Sequence, residues 1–260
     1  MNRLFLADTK KAKQLLSCEA YEKKLLAKLP ATWRPRIEQT RNVDLRHDRL
    51  LVYTLLAEAV CVEKWRIFWQ TTYTVSDDEE HKFDNFPPLI FDEKKRPSLE
   101  GCKFDISVSH TDGMVAVAIA YSADSRIGVD IEKVSCEAIV TAEKFDKRYT
   151  KNVNIPYGDF FYHYELLDRE DIFLFGFDEN GITELCNYDL LEDSVTECEG
   201  LKKWTGVEAV LKSDGGGFGS LPNIGKLVTS HAIHTGVIKY HGTSFAITVA
   251  EKITISALIL

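Results

Sequence analysis

No stretch of the 260 residues approaches the roughly 18 consecutive apolar positions that a membrane-spanning helix needs. No membrane partner is expected. Basic residues are also short: 32 Lys and Arg stand against 40 Asp and Glu, a formal charge of −8. No run of them resembles a nucleic-acid footprint, so no nucleic-acid partner is expected. An anionic ligand would have to be met by a local cluster of cations or a metal rather than by the overall field. The cysteines, Cys18, Cys61, Cys102, Cys136, Cys186 and Cys198, form no CxxC pair and no zinc spacing. The opening segment "MNRLFLADTKKAKQ" has too short an apolar core for a secretory signal. Together these absences predict a cytoplasmic protein with reduced thiols.

What is present is ordinary for a globular chain. The length allows one large domain or two small ones, with ample core either way. Residues 11–29 repeat apolar side chains at helical intervals, and "LPATWRP" ends that helix with two prolines. A stronger helix is expected over about 44–65, with Asp44 as its N-cap. Residues 76–101 read as loop with a short strand at "LIFD". "KFDISVSH" and "MVAVAIAYS" read as two strands joined by "TDG". A helix over 136–147, a hairpin within 171–191, a helix at "GLKKWTGVEAVLKSD" and closing strands at "TGVIKYHGTSFAITVAEK" and "TISALI" complete the order. The pattern of helix, loop, strand, turn and strand occurs twice. The expected fold class is therefore α+β, with two similar halves at 1–123 and 124–260.

Four places carry candidate chemistry. In "RIGVDIEKV", Ile127, Val129 and Ile131 alternate with Gly128, Asp130 and Glu132, the pattern of a half-buried strand. Two carboxylates on one strand face repel unless a cation or water joins them. Oxygen donors of this kind suit Mg²⁺; the plainer reading is a strand edge facing solvent. In "KKWTGVEAVLK", helical spacing puts Glu208 and Lys212 on one stripe, although Glu before Lys at this interval is also a common surface pair. "ISVSHT" ends a strand with Ser109, His110 and Thr111, all able to donate to a phosphate. Upstream, Arg46 and Arg49 begin the long helix, and Lys94, Lys95 and Arg96 share a loop.

Their order resembles the 4′-phosphopantetheinyl transferase superfamily, in its larger, pseudo-dimeric type. The matching stretches are "KRP" at 95–97, "SVSHT" at 107–111, "IGVDIE" at 127–132, "WTGVEAVLK" at 204–212 and "GGGFG" at 215–219. The resemblance implies a Mg²⁺-dependent transfer of phosphopantetheine from coenzyme A to a serine of an acyl or peptidyl carrier protein. It implies that Asp130, Glu132 and Glu208 hold the metal. Glu208 and Lys212 would be catalytic. Arg49, Arg96, Ser109 and His110 would contact the coenzyme A phosphates. Because both halves lie in one chain, a monomer is expected.

The chain departs from that pattern twice. Val207 stands where the family has a lysine, and the 76 positions from Glu132 to Glu208 exceed the spacing expected of the family. Two other readings remain open on sequence alone. One is a relative that binds coenzyme A or a carrier without transfer. The other is an unrelated Mg²⁺-dependent phosphohydrolase.

Overall fold

The computed structural model describes residues 2–70, 86–121, 126–145, 164–166, 171–185, 189–191 and 198–252. The expected strand "TISALI", residues 146–147 of the expected helix and residues 76–85 of the expected loop lie outside them. Helices and mixed sheets together make an α+β fold. The helices are α1 (Lys10–Leu15), α2 (Glu19–Ala27), α3 (Arg34–Glu38), α4 (Val43–Gln70), α5 (Cys136–Phe145), α6 (Glu199–Asp214) and α7 (Ile224–Val228). Among the described residues no helix is long and apolar enough to cross a membrane.

The first sheet has the order β4 (Asp105–Thr111), β5 (Met114–Ala120), β1 (Asn2–Asp8), β8 (Ile172–Asp178) and β9 (Gly181–Leu185). β1 pairs antiparallel with β5 and parallel with β8. It therefore lies inside the sheet with both faces covered, and its sequence shows why. Phe5 and Ala7 face a core shared with α1–α4, whereas Leu4 and Leu6 face the other sheet. β5 divides in the same way: Val115, Val117 and Ile119 meet the helices, and Ala116, Ala118 and Ala120 meet the second sheet.

The second sheet runs β10 (Asp189–Leu191), β11 (His231–Tyr240), β12 (Thr243–Lys252) and β6 (Ile127–Lys133), with β7 (Tyr164–Leu166) also on β11. A small pair, β2 (Leu89–Phe91) and β3 (Pro97–Leu99), lies apart. The layers run helices, first sheet, second sheet, then α5 and α6. The hairpin expected within 171–191 forms as β8–β9 and joins the first sheet; β10, from the end of that segment, pairs in the second.

β6 is the edge of one sheet and β4 the edge of the other. They run parallel, joined through side chains. The Ile127, Val129 and Lys133 N–H groups donate to Asp105 Oδ2, Ser107 Oγ and Thr111 Oγ1 at 2.8, 3.0 and 3.2 Å. Asp105, Ser107 and Thr111, at alternate positions of β4, thus satisfy three N–H groups of an edge that would otherwise stand unpaired. Ile127, Val129 and Ile131 fill the space between sheets. The opposite face of β6, carrying Gly128, Asp130 and Glu132, meets α6.

Gly128 sets that approach. A Cβ there would stand 1.8 Å from the Ala209 carbonyl oxygen and 2.6 Å from the Ser213 nitrogen. α6 lies directly on the strand backbone and ends at Gly215, whose φ of 75° is the left-handed cap that glycine accepts without cost. Gly128→Ala should lift α6 and cost about 1–3 kcal/mol of stability, seen as a lower urea midpoint with an unchanged slope. An unchanged midpoint would show that α6 does not need this contact.

Candidate functional site

Three distant segments converge where α6 crosses β6. Asp130 comes from β6, Ser109 from β4, and Glu208 and Lys212 from successive turns of α6. Lys212 Nζ donates to Asp130 Oδ1 at 2.6 Å, to Ser109 Oγ at 2.9 Å and to the Val129 carbonyl at 3.1 Å. Ser109 Oγ donates to the same Asp130 oxygen at 2.8 Å. A long helical side chain leans toward the helix N-terminus. Lys212 therefore reaches back over β6, beside Glu208 rather than out to solvent. Thr111 donates to Glu132 Oε2 at 3.2 Å.

Asp130 is only 2 % exposed. Its Oδ2 is buried and has no N–H or hydroxyl donor among the described residues. The Glu208 carboxyl lies within hydrogen-bonding reach of Asp130. Two carboxylates in that position cannot both ionise comfortably without a proton or a cation between them. Burial, then the Asp130 charge, pushes Glu208 up to about 7; Lys212 opposes this and Glu132 adds to it. Burial also raises Glu132, with Asp130 adding and Thr111 and Lys212 opposing. Among the described residues, the contacts given for this cluster join three carboxylates to the Lys212 ammonium, which leaves it short of positive charge.

Among the described residues, no group of three or more His, Cys, Asp or Glu side chains is arranged as a preformed metal centre. The donor chemistry nonetheless suits a hard divalent cation: carboxylate oxygens, surplus negative charge and one buried oxygen on Asp130 without a donor. A cleft of about 460 Å³ opens beside this cluster. Thr111, Glu132, Ser135, Thr141 and Trp204 are among the residues that line it.

The remaining residues expected from sequence fall elsewhere. His110 follows Ser109 on β4, so its side chain takes the opposite face, and it is exposed. Arg49 lies on α4, across the first sheet, and donates to Thr40 Oγ1 at 2.6 Å. Arg96 reaches the seam, but as an internal tie: it pairs with Asp105 and donates to the carbonyls of Ile127 and Lys212. Val207 is 1 % exposed and packs with Val210, Leu221, Ile224 and Val228. A cation at 207 would be buried in that cluster. Asp105 and Ser107 also join the seam; their place at alternate positions with Ser109 and Thr111 is the signal for them in the sequence.

No protein-family model matches the chain, and no curated protein does. Any activity must therefore be argued from these residues.

The charge balance predicts a pH effect measurable without a substrate. Glu208 has a folded pKa of about 7, above its ordinary 4.5, so the folded state holds its proton more tightly. That stabilisation is complete below about pH 4.5 and is lost as pH rises to about 7. In chelator, the loss should be on the order of 3 kcal/mol. Glu208→Gln should lack this part of the slope and exceed the parent in stability above about pH 7. Urea unfolding at several pH values reads it; identical pH dependence in parent and variant would contradict the assignment.

Proposed function

We propose that the protein transfers the 4′-phosphopantetheine group of coenzyme A to a serine of an acyl or peptidyl carrier protein, releasing 3′,5′-ADP. The observation that carries this reading is the 2.6 Å contact of Lys212 with Asp130, with Glu208 against the same carboxylate. Motif residues scattered over about a hundred positions of sequence meet at one buried point beside an open cleft.

The chemistry asks for such a set. Phosphoryl transfer is catalysed mainly by positioning and by neutralising charge. Asp130, Glu132 and Glu208 would hold Mg²⁺, which when bound supplies charge neutralisation for the pyrophosphate. In the transfer, the serine oxygen bonds to the β-phosphorus of coenzyme A, the one that bears pantetheine. The bond from that phosphorus to the bridging oxygen breaks, and the leaving group is 3′,5′-ADP. Glu208, with its raised pKa, takes the serine proton directly or through a water. The Lys212 ammonium faces the departing phosphate, and Ser109 orients Lys212 and Asp130. The cleft at Glu132 admits the carrier serine.

The same reading takes the chain as two similar α+β halves, 1–123 and 124–260, acting as a cytoplasmic monomer. Its support is the repeated order of α4 before β4–β5 and α6 before β11–β12, with the site at the junction. The binding-only alternative rests on Val207 in place of the family's lysine and on the long interval from Glu132 to Glu208. Val207 packs in an apolar cluster, and the transfer assay below separates the two readings.

Incubating the protein with coenzyme A, Mg²⁺ and a panel of apo-carriers should add the phosphopantetheine mass to at least one carrier. Asp130→Asn and Lys212→Met should each slow this by about 100-fold or more. No mass gain on any carrier, or full turnover in either variant, would overturn the proposal.

A further inference from the structure

Arg96 is drawn into the fold in a way its loop position does not suggest. Its guanidinium makes four hydrogen bonds, all to protein. Nη1 donates to Asp105 Oδ1 at 2.7 Å, and Nη2 donates to Asp105 Oδ2. Nη2 also donates to the Ile127 carbonyl at 2.9 Å, and Nε to the Lys212 carbonyl at 3.1 Å. The side chains of the pair are 11 % and 15 % exposed. Asp105 is equally committed, because Oδ2 also accepts the Ile127 N–H at 2.8 Å.

One planar fork therefore joins the start of β3, the start of β4, the start of β6 and the last turn of α6. The forked geometry is needed, since a lysine ammonium cannot span a carboxylate bidentately while reaching two carbonyls on other segments. The bond to Lys212 has a further consequence. Carbonyls in the last turn of a helix lack their i+4 partners; the Lys212 carbonyl accepts the Gly215 N–H of the cap at 3.2 Å and Arg96 as a second donor, and a cation there also suits the helix dipole. Arg96 thus adds a cationic donor at Lys212, whose ammonium enters the carboxylate cluster. Lys212 is held at both ends: its carbonyl by Arg96, its Nζ by Asp130, Ser109 and Val129. The Ser213 hydroxyl, donating to the Arg126 carbonyl at 2.9 Å, fixes the next residue to the same strand.

We infer that Arg96, neutralised by Asp105, is a positioning residue that sets the place of Lys212 against Asp130 and Ser109, not a contact to the coenzyme A phosphates. Its positive charge is already spent on Asp105, so a phosphate would have to compete with a bidentate carboxylate. A phosphate contact and a positioning residue differ in what they disturb. Loss of a contact weakens coenzyme A binding. Loss of the positioner leaves binding in place and misplaces Lys212.

The experiment uses the full-length chain with Arg96→Lys, Asp105→Asn and the double variant. Asp105→Asn keeps the shape of the pair and guards against a folding defect in Arg96→Lys. Lys212 is first acylated with a small amine-reactive reagent, and its labelling rate is read by peptide mass spectrometry against the other lysines. The rate should rise in both variants relative to the other lysines. In the transfer assay kcat should fall about 10–100-fold while KM for coenzyme A stays near the parent value. The double variant should be no worse than the singles, as expected of groups acting as one unit. Unchanged Lys212 labelling in both variants would overturn the inference. So would a loss confined to KM in Arg96→Lys with Asp105→Asn behaving as the parent. The kinetic arm rests on the proposed transfer, whereas labelling does not. A parent without transfer activity defeats the functional reading, and the labelling result still decides the role of Arg96.

Discussion

The side chains along one edge of β4 decide where everything else in this protein sits. Asp105, Ser107 and Thr111 take the N–H groups of β6 that a neighbouring strand would otherwise take. A side chain is longer than a backbone carbonyl, so the two strands stand further apart than in a ladder and their sheets stack rather than merge. β6 then offers one face to the space between sheets and the other to α6. Gly128 brings the helix onto the strand, and its neighbours Asp130 and Glu132 are carried under the same helix. The site follows from how the two sheets are joined.

That arrangement stores an electrostatic imbalance. Asp130, Glu132 and Glu208 share one ammonium, and burial strengthens every repulsion among them. A cluster serving only stability would be better replaced by apolar groups of similar volume. Raised carboxylate pKa values beside an open cleft instead fit the proposed reading, in which charge arrives with a ligand. On the proposed reading, an anionic substrate with its own divalent cation would match the need: the cation would relieve the carboxylates, and the anion would receive Lys212.

Much of this was legible in the residues. The alternation in "RIGVDIEKV" gave both faces of β6, and the four-residue interval gave the shared stripe of Glu208 and Lys212. The "HG" of the terminal strands became a two-residue turn with both residues at positive φ, His241 at 46° and Gly242 at 73°. What was missed has physical reasons. β1 has apolar residues on both faces, so it shows no alternation to mark it as a strand. The helix expected over 11–29 divides at Ser17–Cys18 into α1 and α2. The polar positions of β4 look like a solvent face, because periodicity cannot say whether water or another strand lies beyond. Ser109 and His110 looked equivalent, yet successive strand residues face opposite ways and only Ser109 could enter the site. Arg96 read as a loop cation because the carboxylate that claims it, Asp105, is separated from it by a whole strand.

The central claim is that this cluster is built to take a divalent cation with a phosphate ligand. Calorimetric titration of Mg²⁺ into the protein with coenzyme A present tests it most directly, with Asp130→Asn as the comparison. The parent should show one saturable binding event that strengthens as pH rises through about 7, where Glu208 gives up its proton, and the variant should lose it. No Mg²⁺ binding in the parent, or the same binding in Asp130→Asn, would contradict the account.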